Sequence, residues 1–221
     1  ILHNRRGFSS LKVYNKSKMM ATDIEFFHNE VEIHRNLCHA NIVQFIDTFD
    51  DVSNYYIVME LCPKNSLKKI ATGLVRNQFT EDRISKIIKQ LAEAVQYISD
   101  QGFIHRDIKL DNIFVAADDT IRLGDFGLAC KYDISIPHTS FIGTLSHMSP
   151  EAATATAYTH LTDVWSIGVI MYTMLNGKEP FVIEYRNLLD YYASLALGLD
   201  PYEETIQRIT RGEYESVRGN R

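Results

Sequence analysis

The spacing of hydrophobic positions changes character near residue 60, and that change divides the chain into two parts. Residues 11–14, 41–48 and 55–61 are short runs, the last two rich in Ile, Val, Phe and Tyr, which predict strands. Between the first two runs, Phe26, Phe27, Val31, Ile33, His34 and Leu37 fall roughly at helical spacing, with Asp23 and Glu25 at the acidic start a helix dipole favours. Strands around one helix make a small α+β lobe. Pro63 and Asn65 in "CPKNS" favour a break in regular structure, which places the boundary there and divides the chain into residues 1–62 and 63–221.

Helical spacing dominates the second part. Ile84, Ile87, Ile88, Leu91, Val95 and Ile98 repeat at i, i+3, i+4, i+7, i+11 and i+14, one continuous apolar stripe. Thr80 is placed to cap that helix, Glu81 and Asp82 to complement its dipole, and Gly102 to end it. Residues 113–115 and 121–123 predict a hairpin joined by "AADDT". Residues 164–175 carry no charge and predict a buried core helix; their 12 positions fall short of the roughly 18–20 needed to span a bilayer, so no membrane partner is expected. Tyr185, Leu188, Leu189 and Tyr192 predict a further amphipathic helix, and residues 202–214 another.

Composition narrows the function classes. With 221 residues, 45% hydrophobic and 23% charged, the chain can bury one sizeable core or two small lobes. A net charge of −5 gives no electrostatic footprint for nucleic acid, so no nucleic-acid partner is expected. Cys38, Cys62 and Cys130 are odd in number and show no CxxC spacing, which argues against a disulfide framework or a zinc site and for a reducing, intracellular, cytoplasmic setting. No apolar run follows Arg5 and Arg6, so no signal peptide is expected.

The densest polar cluster, "HRDIKLDN" at residues 105–112, lies on the loop between the long helix and the hairpin, where a rigid scaffold can present catalytic groups. Eighteen residues after Asp107 comes Asp125, in "GDFG" directly after the second hairpin strand. An aspartate flanked by glycines suits a divalent cation, and Asn112 offers a neutral oxygen to the same site. Asp107 is then free to accept a proton from a hydroxyl, and Lys109 to neutralise charge on a transferring phosphoryl group. These are the parts of a phosphoryl-transfer site.

From about Ser10 to Phe181 the chain resembles a eukaryotic protein kinase. "HRDIKLDN" is similar to the catalytic loop, "GDFGLA" to the metal-binding segment, "GTLSHMSPE" to the end of the activation segment, and "DVWSIGVIMYTML" to the helix beneath the loop. Within that family the resemblance is to the polo-like kinases, through "NEVEIHRNLCHANIVQF", "IVMELCPKNSL", "DFGLACKYD" and "RITRGEYE". It implies a two-lobed fold with a partial, β-rich N-lobe and a truncated helical C-lobe. It implies ATP and Mg2+ as cofactors, with Lys12 gripping the α- and β-phosphates and Glu30, 18 residues on, paired with it. Met59, Glu60 and Cys62 become the gatekeeper and hinge that bind adenine, Asn112 and Asp125 the metal ligands, and Asp107 the base. His105 and Trp165 become scaffold, and Asp163 a support bonded to the catalytic-loop backbone. Lys109 with Gly143 and Thr144 implies protein substrates with serine or threonine acceptors. Ser140, or Thr139 beside it, is implied as the target of an upstream activating kinase, its phosphate pairing with Arg106. The family's centrosome, basal body and spindle sites are implied as locations.

The chain also departs from that pattern. No G-x-G-x-x-G precedes Lys12, and Gly7 is the only glycine in the first 72 residues, so the loop over the phosphates and the first strand are expected to be missing. Leu145 and His147 replace the usual proline and tyrosine, residues 182–198 read as an insertion, and the chain stops before the closing helices. A noncatalytic pseudokinase or truncated fragment acting as a binding module is therefore the alternative; the retained lysine, aspartates and asparagine favour the enzyme.

Overall fold

Four antiparallel strands form the first part: β1 (Leu2–Asn4), β2 (Gly7–Asn15), β3 (Phe45–Asp50) and β4 (Asn54–Glu60), in the order β1-β2-β4-β3. The structure, a computed structural model, describes residues 2–4, 7–73, 79–183, 188–196, 198 and 200–214. β2 is longer than the run that predicts it, and a strand stands ahead of it where none is expected; Leu2–Asn4 pairs with Gly7–Ser9 as a hairpin. Helix α1 (Ala21–Arg35) starts with Asp23 Oδ2 accepting from the Met20 N–H at 2.8 Å, and buries Phe27 and Val31 against Ile57 of β4. Phe26, expected on that face, is exposed.

Residues 41–48 do not form one strand. β3 begins only at Phe45, while Asn41 and Val43 exchange backbone hydrogen bonds with Leu123 at 2.8 and 2.9 Å and Ile42 makes a parallel bridge to it. An Ile/Val-rich stretch is competent for either pairing, and Asn41 decides it: its Nδ2 donates to the Ile121 carbonyl and to Gln90 Oε1 in the second part.

Helix α3 (Glu81–Asp100) carries the second part. Thr80 Oγ1 accepts from the Arg83 N–H at its start, and Ile84, Ile87, Leu91, Val95 and Ile98 are buried as their spacing predicts, with Ile88 partly covered. They pack against α5 (Leu161–Asn176), a neighbour that contributes Ile167, Ile170 and Met174 to the same core. Each such aliphatic side chain is worth about 1.5–3 kcal/mol on full burial, so this layer is the rigid floor of the molecule. The face of α5 carrying Val164 and Met171 remains exposed, against the expectation of a helix buried all round.

Above the floor lie two small ladders. β5 (Phe103–Ile104) pairs with β8 (Cys130–Lys131), and β6 (Ile113–Val115) pairs with β7 (Ile121–Leu123) across the expected turn, where Asp119 takes φ +66°. Short helices α2 (Leu67–Gly73) and α4 (Pro150–Ala153) flank them. α6 (Leu188–Ala196) lies inside residues 182–198, and Leu188 and Tyr192, expected on its apolar stripe, are exposed; Tyr185 lies outside the described residues. α7 (Pro201–Arg211) is capped by Asp200 and ends at Gly212, as residues 202–214 predict. Among the described residues no helix is long and apolar enough to cross a membrane.

Candidate active site

The polar segment at residues 105–112 follows β5 and passes the N-terminal turn of α5, where Asp163 holds it. Its two carboxylate oxygens accept from the backbone N–H groups of His105 and Arg106 at 2.8 and 2.9 Å. Burial pushes the Asp163 carboxyl up from its ordinary range, and His105 and these two donors offset that only in part. Arg106 is held at φ +66°, a left-handed conformation that a non-glycine residue adopts only when its surroundings impose it. His105 is fully buried against the Phe126 ring at 4.9 Å; its Nε2 donates to the Gly124 carbonyl at 3.2 Å and its Nδ1 accepts from the Asp107 N–H at 3.3 Å. The histidine is thus part of the scaffold.

Asp107 is the centre of a closed set. Its Oδ1 accepts from Thr144 Oγ1 at 2.7 Å, while its Oδ2 accepts from Asn112 Nδ2 at 2.9 Å and meets Lys109 Nζ at 2.8 Å. Lys109 also donates to Thr144 Oγ1 at 2.9 Å, so Thr144, 37 positions after Asp107, closes the ring. Gly143 makes that approach possible. It takes φ +121°, and a Cβ there would lie 2.4 Å from the Arg106 carbonyl oxygen, closer than any side chain can stand. Burial would raise the Asp107 carboxyl, but the Lys109 and Thr144 hydrogen bonds win and hold it below its ordinary value.

Asp125 follows β7. The tight turn belongs to the aspartate itself, at φ +63°, rather than to the flanking glycines as the sequence reading has it. Gly124 is needed for closeness instead, because a Cβ there would lie 2.9 Å from Val43 Cγ2. Asp125 Oδ1 accepts from Lys12 Nζ at 2.7 Å, and the same ammonium reaches Glu30 Oε1 and Oε2 at 2.8 and 3.1 Å. Lys12, Glu30 and Asp125 come from β2, α1 and the segment after β7, so three elements converge on one cation. Burial alone would lower the Lys12 ammonium; Glu30 and then Asp125 outweigh it and hold the group above lysine's ordinary value. Burial likewise raises the Asp125 carboxyl, and Lys12 more than reverses this. A neighbour the sequence reading missed, Tyr14, donates its hydroxyl to Glu30 Oε2.

A row of rings ties these pieces together, with Phe45, His34, Phe126 and His105 following one another at 5.6, 4.7 and 4.9 Å. Burial pushes His34 down to about 4, so it serves as a neutral ring, hydrogen-bonded through Nε2 to the Val43 carbonyl at 2.6 Å.

Between the sheet and the hairpin lies a cleft of about 480 Å3. Met59, Glu60 and Cys62 line it as expected from the resemblance, Val43 and Phe114 give it apolar walls, and Lys12 and Asp125 stand on it too. Glu60 is held by Arg122 Nε at 3.3 Å, an interaction the sequence reading also missed. Burial pushes the Cys62 thiol up to about 12, so it lines the cleft as a neutral thiol. A larger hollow of about 780 Å3, bounded by α5 and α7, shares no residue with the cleft and is lined by the self-paired charges Glu204–Arg208 and Glu213–Arg211. Thr139 and Ser140 are exposed and outside both clusters; Arg106, their proposed partner, spends its Nε on the Leu128 carbonyl at 2.7 Å and donates to the Tyr158 hydroxyl at 3.3 Å.

These shifts predict an acid limb of stability. Asp107 and Asp125 are depressed, so each contributes stability that is complete above the ordinary aspartate value of about 3.9 and is lost as pH falls through its lower folded value. Asp163 is raised and has the opposite sign: the cost of its buried charge is relieved as pH falls through its folded value. The melting temperature is expected to fall below about pH 4, and to fall less steeply in an Asp107→Asn variant. An identical acid limb in that variant would show that Asp107 is not held as described.

A family model described as "Protein kinase domain" matches residues 2–208, and the chain belongs to that family. The α+β arrangement is its two-lobed fold, and membership implies use of ATP, typically with magnesium. Among curated proteins, the serine/threonine-protein kinase polo of Drosophila melanogaster is 38% identical over 167 residues, covering 75% of this chain and 28% of that protein. The serine/threonine-protein kinase plk-2 of Caenorhabditis elegans is 35% identical over 185 residues, covering 84% and 27%. Aurora/IPL1-related protein kinase 2 of Caenorhabditis briggsae is 30% identical over 203 residues, covering 91% and 66%. The resemblance to polo-like serine/threonine kinases is thereby shown, and the chain spans less than a third of the length of these two polo-like relatives.

Proposed function

We propose that this chain forms the catalytic part of a polo-like serine/threonine protein kinase and moves the γ-phosphate of ATP onto a serine or threonine hydroxyl of a protein. One observation carries the reading: Lys12, Glu30 and Asp125 meet from three elements beside a cleft lined by Met59–Cys62, while Asp107, Lys109 and Thr144 form a closed set beneath. Residues 1–62 act as the small lobe and 63–221 as the large one, with adenine held by hinge backbone near Glu60 and Cys62 behind the Met59 gatekeeper. Lys12, set by Glu30, takes the α- and β-phosphates.

Asn112 and Asp125 fit magnesium. Asn112 Nδ2 is committed to the Asp107 carbonyl and Oδ2, which leaves its Oδ1 as the atom for a cation, and Asp125 supplies a carboxylate. Two protein oxygens suit an ion that keeps water and phosphate for the rest of its shell. Bound there, magnesium would neutralise phosphate charge. Asp107 orients the acceptor hydroxyl and takes its proton, and Lys109, already between Asp107 and Thr144, stabilises charge on the transferring group. Exposed Ser140, with Thr139 beside it, is the candidate site for an upstream activating kinase.

Nucleotide binding tests this assignment. Lys12→Met removes a charge-assisted contact worth about 1.5–3 kcal/mol and is expected to weaken ATP binding by about 10–100-fold. Asp125→Asn is expected to make ATP affinity insensitive to magnesium. An unchanged affinity in the first variant, or an unchanged magnesium dependence in the second, would contradict these roles.

A further inference from the structure

Lys12 has too many claims on it. It is the cation between Glu30 and Asp125, yet in the function proposed above it must turn towards phosphate. Glu30 is 1% exposed, and a buried carboxylate that loses its cation is costly unless another donor stays with it. Tyr14 lies two positions along β2 from Lys12, on the same face of the strand, with its ring 5.2 Å from Lys12 Nζ. Its hydroxyl reaches Glu30 Oε2, and its ring meets the Phe27 ring edge-on at 5.3 Å, one turn earlier on the helix that carries Glu30.

We propose that Tyr14 is a positioning residue, a strut from β2 to α1 that holds Glu30 inward and keeps its carboxylate satisfied while Lys12 engages phosphate. A phenol can do this where a second lysine could not, because it donates one hydrogen bond without adding a charge that would compete for the nucleotide. Burial, and then Glu30, push the Tyr14 phenol well above its ordinary value, so it remains a donor throughout the neutral range. The packing on Phe27 fixes the ring, which leaves the hydroxyl little freedom to turn away.

The inference rests on the Lys12–Glu30 reading, and the experiment separates the two. Tyr14→Phe keeps the ring and removes the donor. In the ligand-free chain, amide exchange in the middle turns of α1 is expected to quicken about tenfold, with exchange in α3 unchanged as the folding control. ATP is expected to bind about tenfold more weakly. Glu30→Gln should reproduce both effects, and the double variant should be no worse than either alone. Impairment in Glu30→Gln with wild-type exchange and affinity in Tyr14→Phe would overturn the strut and reduce Tyr14 to packing, leaving the ion-pair reading intact. Unaltered ATP affinity in Glu30→Gln would remove that reading and the strut with it. Additive losses in the double variant would show that Tyr14 acts elsewhere than through Glu30.

Discussion

Replacing Asp107 by Asn is expected to lower phosphoryl transfer by about 10²–10⁴-fold, the range a positioned general base supplies, while ATP binding is retained. The substitution is nearly isosteric. An amide oxygen can still accept from Thr144 Oγ1, and the cleft proposed to take the nucleotide is lined by other residues. What is lost is the ability to take a proton and the ionic partner of Lys109. Parallel measurement of ATP affinity and transfer rate separates these effects. Transfer at the wild-type rate would show that Asp107 is not the base; loss of binding together with transfer would show that it acts on the nucleotide instead.

The largest effect on stability is expected for Asp163→Ala. That side chain is buried and accepts from two backbone donors, the N–H groups of His105 and Arg106. Stranding a buried donor costs about 1–3 kcal/mol, so two cost about 2–6, a large part of the roughly 5–15 kcal/mol by which a domain is stable. Relief of the buried aspartate charge, which its upward shift reveals, draws the net value towards the lower end. Activity should fall further than stability alone explains, because Arg106 loses the contact that imposes its left-handed turn, and Asp107 follows it in the chain. Asp163→Asn, which keeps one acceptor, should fall between. Denaturant unfolding measures the cost, and a midpoint shared by Asp163→Ala and the wild type would remove the strut beneath the catalytic loop from this description.

Elements with a strong period of their own were legible in the sequence. α3 states its cap, its apolar face and its end within twenty-three residues, from Thr80 to Gly102, where the chain leaves the helix at φ +76°. The local polar clusters were equally legible, because "HRDIKLDN" and "GDFG" place their chemistry within a few positions of one another. Features decided by distant partners were not. Residues 41–43 have strand composition but pair with Leu123, and Leu188 and Tyr192 of the α6 stripe are exposed. Lys12 and Glu30 lie 18 residues apart on different elements, so only resemblance linked them in sequence. Tyr14 carried no signal of its own, since a tyrosine in a strand ordinarily means packing; its hydroxyl matters because α1 brings Glu30 to it.

The most direct measurement is transfer of labelled γ-phosphate from ATP with magnesium to serine, threonine and tyrosine versions of one generic peptide, using chain shown to be folded and to bind nucleotide. Label on the serine and threonine peptides, absent without magnesium and absent from the tyrosine peptide, is the expected result. A folded, nucleotide-binding chain that labels none of the three would contradict the assignment of Asp107, Lys109 and Thr144 to phosphoryl transfer.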